Sequence, residues 1–220
     1  MNRLLSILAA VTFAVSSSVS AARDGFLYEV TLTNATYNQQ FTPLLLATHE
    51  PGLTLFTIGA PAIAQLATLA EEGNVAPLRA LLDADPRVNA TQAGSALTNA
   101  GTSMTLQIRG RPRDRLTVAA MLIPTNDAFV ALVSVELPNH GSITRTARAY
   151  DAGSEINDEL CASIPGPNFV ECGGPGGGGK PGNGEGFVHV HRGIHGIGDL
   201  EPASRAWLNP VAFIRITRVQ

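Results

Sequence analysis

Apolar and polar residues alternate along most of this chain, and the period is two rather than 3.6. Residues 26–33, Phe-Leu-Tyr-Glu-Val-Thr-Leu-Thr, are rich in β-formers and send every second side chain to one face. Over residues 103–109, Met104, Leu106 and Ile108 alternate with polar positions. Apolar runs follow at 115–123 and 128–137, parted by the turn Pro124-Thr125-Asn126-Asp127. Residues 143–150, 187–191 and 211–219 complete the set. Strands this numerous, with turns between them, predict an all-β fold, an antiparallel β-sandwich.

One segment breaks the alternation. Residues 61–82 are rich in Ala and Leu, and Ile63, Leu66, Leu69 and Ala70 fall at helical spacing. Pro61 suits a first turn, and Gly73-Asn74 stops the helix. Leu78, Leu81 and Leu82 predict a second short helix that ends before Asp85-Pro86. We expect a small helical insertion, 61–83, capping one end of the sandwich; a partner-binding helix is the other reading. Residues 173–186 are nearly all Gly, Pro and polar residues and predict a mobile surface loop. No Gly-Lys-Ser/Thr follows them, which excludes a phosphate-binding loop.

The start of the chain reads as a signal peptide over 1–21. Met1-Asn2-Arg3 is a positive n-region, an apolar run follows to Val15, and small residues near Ala21 fit a cleavage site. The apolar run is short for a membrane span, and no later segment is long and apolar enough for one. The chain is then secreted or periplasmic. One domain is expected over 22–220, long enough for a real core. Loss of the leader removes Arg3 and no acid, so the formal charge moves from −3 to −4. A mildly acidic chain without a basic run gives no support for nucleic acid as a partner. Cys161 and Cys172 are the two cysteines. In an exported chain, so close together in a Pro- and Gly-rich stretch, they read as a disulfide; free thiols are the alternative.

Two groups of residues could carry chemistry. Asp151 and Glu155 stand four positions apart with Gly153 between them, and Asp127 lies just before an apolar run. A neighbouring strand could bring the three together around calcium, which takes six to eight oxygen ligands and accepts irregular loops. A solvated acidic turn is the competing reading. Asp158 and Glu159 are close enough in sequence to help, or they face water. The second group is His189, His191 and His195, three of the five histidines within seven positions. His189 and His191 share a strand face, and His195 follows a glycine-flanked turn, so a zinc or copper site is one reading. A hydrogen-bonded or solvated face is the other. Nucleophilic catalysis has little support, because no Gly-X-Ser-X-Gly elbow is present.

In order along the chain stand Tyr28-Glu29-Val30-Thr31-Leu32-Thr33-Asn34, Phe41-Thr42-Pro43, Ala47-Thr48-His49, Phe56-Thr57-Ile58-Gly59, Asn126-Asp127-Ala128-Phe129 and Tyr150-Asp151-Ala152-Gly153-Ser154-Glu155. This series resembles the spondin domain, the N-terminal domain type of F-spondin, over about 28–219. The run 186–200 with Trp207-Leu208-Asn209-Pro210 looks like the bacterial secreted branch. The resemblance implies a C2-like sandwich and one calcium ion held by Asp127, Asp151 and Glu155. The chain departs from the animal proteins in having Glu155 for Asp, one methylene longer, and Ala128-Phe129 where they carry Trp. The resulting expectation is an exported, non-enzymatic calcium-binding module with an adhesive or ligand-binding role. Its partner would be an extracellular protein or surface ligand. The alternative is a transition-metal protein or metalloenzyme built on the three histidines.

Overall fold

The computed structural model describes residues 25–219, so the expected signal peptide lies outside the described residues. In chain order the elements are β1 (Phe26–Asn34), β2 (Gln40–Phe41), β3 (Leu45–His49), α1 (Ala64–Glu72), α2 (Ala76–Ala84), β4 (Val88–Ala93), β5 (Ser103–Gly110), β6 (Arg115–Ile123), β7 (Ala128–Glu136), β8 (Ser142–Asp151), β9 (Asn168–Phe169), β10 (Gly174–Pro175), β11 (His189–Val190), α3 (Pro202–Arg205) and β12 (Ala212–Arg218).

Eight strands form one antiparallel path, β4-β3-β6-β7-β8-β12-β1-β5, with β2 added to β6 and β11 added to β8. The path bends back on itself. Thr48 of β3 donates its hydroxyl to the Arg109 carbonyl of β5 at 2.7 Å, which ties the two ends together. The two halves thus face each other as a sandwich. Between them lie Tyr28, Val30 and Leu32 of β1, Leu116 and Val118 of β6, Val130 of β7, and Ile214 and Ile216 of β12. Each such side chain contributes about 1.5–3 kcal/mol by leaving water.

A second core sits outside the sheet. Leu45, Ala47, Ala119, Phe129 and Ala131 project from β3, β6 and β7 against Leu66 and Leu69 of α1 and Leu78 and Leu82 of α2. The helices therefore cover a sheet face; they do not cap an end of the sandwich. The cause is visible in the strands, since β3 is buried throughout and β6 at every position but its first. A strand apolar on both faces needs a second cover. Pro61 precedes α1, which opens at Ala64, and the first-turn proline belongs to α2 instead. Gly73 does end α1, at φ +67°, with its N–H on the Leu69 carbonyl at 3.0 Å.

The glycine-rich segment is not a free loop. Its backbone lies across the turn that follows β8, with Gly182 N–H on Ser154 O at 2.7 Å and Gly186 N–H on Gly153 O at 2.8 Å. At its root, Cys161 and Cys172 are bridged, with Cα atoms 5.5 Å apart. Among the described residues no helix is long and apolar enough to cross a membrane.

Candidate functional site

Strand register gathers the acids. Asp151, the last residue of β8, stands opposite Ala128 on β7 and opposite His189 on β11. Asp127, one residue before Ala128, therefore lies beside Asp151 at one rim of the sheet. Beyond Asp151 the chain turns back through Gly153, at φ +67°. A Cβ at Gly153 would lie 2.3 Å from the Phe187 carbonyl oxygen, so only glycine fits. The turn is fastened by Asp127, whose Oδ2 accepts the N–H groups of Ser154 at 2.8 Å and Glu155 at 3.0 Å. Asp151 Oδ1 accepts the Gly153 N–H at 2.7 Å.

Asp127, Asp151 and Glu155 are all buried. Asp127 Oδ1 and both oxygens of Glu155 have no hydrogen-bond partner of regular geometry. Burial pushes the Asp127 carboxyl up to about 7, and the charge of Asp151 adds to the rise; the Glu155 and Ser154 N–H groups oppose it. Burial likewise lifts Glu155 to about 8, reinforced by repulsion from Glu71 and Asp127. The nearby Lys180 N–H opposes that rise without closing a regular hydrogen bond. For Asp151 burial also wins, against hydrogen bonds from Asn157 and Gly153. Carboxyls crowded this way bind a proton or a cation to relieve their charge. Hard oxygen donors left without partners fit calcium. Glu71, at the end of α1, belongs to this group and escaped the sequence reading. The one cue was an acid among the buried positions of an amphipathic helix.

Glycine also explains how Glu155 is covered. A Cβ at Gly179 would come within 2.8 Å of Glu155 Oε1 and 3.0 Å of the Glu71 carbonyl. The glycine-rich segment can lie on the acids because it has no side chains there.

The two other acids are structural. Glu159 is buried, and its carboxylate accepts the N–H groups of His195 at 2.6 Å, Gly196 at 2.7 Å and Ile197 at 3.0 Å. Burial alone would raise the Asp158 carboxyl, but bonds from Leu160, Ser163 and Asn126 hold it below its ordinary value. The hydroxyls of Ser154 and Ser163 are spent as donors to Asp127 and Asp158.

The three histidines have separate environments. His191 is buried against Trp207, with ring centres 5.0 Å apart, and its Nδ1 accepts the Gly193 N–H at 2.9 Å. Burial drives its pKa down to about 3, so the ring is neutral. His195 is exposed. His189 stands 3.7 Å from Asp151 Oδ1 and 3.6 Å from Glu185 Oε2 through Nε2. Among the described residues, the one set of three His, Cys, Asp or Glu side chains with ligating atoms all within 4.8 Å of one another is Asp151, Glu185 and His189. It contains neither His191 nor His195, and Asp127 and Glu155 are outside it too. Glu185 was not singled out from the sequence, although it is the lone acid of the 173–186 stretch, four residues before His189. All three line a cavity of about 660 Å³, together with Phe187, Ile194 and His195.

The Spondin_N family model matches residues 32–156, more than half of the chain. That span includes Asp127, Asp151 and Glu155 and ends before Glu185 and the histidine cluster. No curated protein matches the chain.

Proposed function

The chain belongs to the spondin N-terminal domain family, and from that premise we propose that it is an exported, non-enzymatic module whose rim holds calcium and presents a surface to an extracellular ligand. Family membership and the Cys161–Cys172 bridge support an extracellular or periplasmic setting. The observation that carries the calcium reading is the set of unpartnered buried oxygens, Asp127 Oδ1 and Glu155 Oε1 and Oε2. Buried acids crowded together without a neutralising charge are costly, and a divalent ion removes the cost. Asp127, Asp151 and Glu155 would hold the ion. Its work would be to fix the 151–155 turn, and with it the glycine-rich segment bound to that turn. The adhesive or ligand-binding role rests on the family, and the partner class is an extracellular protein or surface ligand.

Thermal unfolding in chelator against calcium tests the reading. At a hundredfold excess over Kd, calcium adds about 2.7 kcal/mol. At about 2–4 °C per kcal/mol for a chain of this size, the midpoint rises by roughly 5–11 °C. Glu155→Gln removes the rise. An unchanged midpoint for the parent protein in millimolar calcium overturns the reading.

A further inference from the structure

The cavity wall carries a second arrangement, which shares Asp151 with the three acids just described and adds Glu185 and His189. His189 Nδ1 lies 3.1 Å from the Val190 carbonyl, an oxygen that can only accept, so Nδ1 carries the ring hydrogen. Burial would lower the His189 pKa, but the Val190 carbonyl and the charges of Asp151 and Glu185 raise it overall; a metal ion displaces the Nε2 proton, and in the neutral ring that atom presents a bare lone pair. That atom is shielded from solvent and has no hydrogen-bond partner. It faces Asp151 Oδ1 at 3.7 Å and Glu185 Oε2 at 3.6 Å, two oxygens that also can only accept when ionised. The Nε2 lone pair and the two carboxylate oxygens therefore face one another, and the one regular hydrogen bond they receive is the Gly153 N–H on Asp151 Oδ1.

The outer oxygens of the same carboxylates are held elsewhere. Asn157 Nδ2 lies 2.8 Å from Asp151 Oδ2 and 3.3 Å from Glu185 Oε1. One amide thus orients both acids and leaves their inner oxygens toward His189. A histidine fixed by a backbone carbonyl and carboxylates fixed by an amide are the supporting contacts that metal ligands receive. His191 contributes in a different way. Its Nδ1 is occupied by the Gly193 N–H, so the neutral ring carries its hydrogen on Nε2, which points at Asp151 Oδ2 from 3.7 Å. It has no lone pair to offer there and acts as a positioning residue.

From this geometry we infer that Asp151, Glu185 and His189 form a site for a divalent transition ion of the zinc class, with an open coordination position toward the cavity. Tetrahedral zinc with ligands at about 2.1 Å sets donors roughly 3.4 Å apart. The observed 3.6 and 3.7 Å from His189 are within a few tenths of an ångström of that spacing, and all three donors lie within 4.8 Å of one another. The imidazole nitrogen argues against calcium, which takes oxygen. Three protein donors leave a fourth position for water or an anionic group of a ligand in the cavity.

The test uses the full chain without a histidine tag, stripped with chelator and held in excess calcium. Zinc chloride is titrated against a competing zinc dye. The expected result is one tight equivalent. His189→Ala and Glu185→Gln abolish it, and Asn157→Ala weakens it about 10–100-fold. His195→Ala leaves it unchanged. Glu185 is 40% exposed, so its variant tests the site without disturbing the core. Glu155→Gln removes the calcium response of the midpoint but retains the zinc equivalent, which separates failure of one site from failure of the other. Absence of stoichiometric zinc binding overturns the inference. So does zinc binding that survives both His189→Ala and Glu185→Gln, which would place the metal elsewhere, or binding that disappears in Glu155→Gln.

Discussion

Replacing Asp127 with Asn separates the charge of the rim from its shape. The Asp127 carboxyl moves from 3.8 to about 7 on folding, chiefly through burial. A raised acid means that the folded state holds more protons than the unfolded chain between those two values. In chelator, the stability it supports is therefore complete below pH 3.8 and is lost as pH rises to about 7. At about 1.4 kcal/mol for each tenfold change in proton affinity, that rise is worth about 4 kcal/mol, a large share of the stability of an ordinary domain. The substituted amide cannot ionise, yet its oxygen can still accept the N–H groups of Ser154 and Glu155. We expect the difference between parent and Asp127→Asn, measured by urea unfolding in chelator at pH 4 and pH 8, to swing by about 4 kcal/mol in favour of the variant. Using the difference cancels the titration of groups remote from Asp127, and relief of the repulsion on Glu155 adds to the swing in the same direction. At pH 8 a hundredfold excess of calcium over Kd cuts the variant's advantage by about 2.7 kcal/mol, because the parent gains from the ion and the variant does not. A difference that stays flat from pH 4 to pH 8 would refute the reasoning, since Asp127 would then be carrying no unrelieved charge.

Other outcomes follow from the same contacts. Gly153→Ala forces a Cβ against the Phe187 carbonyl at a positive φ; circular-dichroism melting should show a loss of at least about 2 kcal/mol, together with a blunted calcium response, and a neutral substitution would contradict the turn described. The Cys161→Ser/Cys172→Ser pair opens a short loop and should cost about 3 kcal/mol by denaturant unfolding. Glu159→Gln leaves one of the N–H groups of His195, Gly196 and Ile197 facing an amide nitrogen; a cost of about 1.5–3 kcal/mol is expected, with faster hydrogen exchange at those three amides, and unchanged exchange would show that the carboxylate does not hold them.

Strands β1, β5, β8 and β12 were readable because one face of each is wet. In β1 every second residue is buried, and period two follows directly. β3 was not readable, because all five of its residues are buried and no alternation remains. The position of the helices was hidden for the same reason, since doubly apolar strands show that a cover exists without saying which segment supplies it. At the rim, Asp127, Asp151 and Glu155 announced themselves by spacing around Gly153. Glu71 and Glu185 did not, because helix packing and chain reversal bring them in from 84 residues before and 30 residues after Glu155. The histidine run was visible as a cluster, but which ring nitrogen stays bare depends on the Val190 carbonyl and the Gly193 amide. Such backbone partners leave no trace in side-chain identity.

The glycine ribbon has a kinetic consequence. It rests on Glu155 with Gly179 against the carboxylate, and its root is anchored by the Cys161–Cys172 bridge. An ion held by Glu155 would lie beneath it, and escape on that side requires Gly182 and Gly186 to let go of Ser154 and Gly153. Residence time there would be set by backbone opening rather than by ligand strength, so severing the anchor would speed escape more than it lowers affinity.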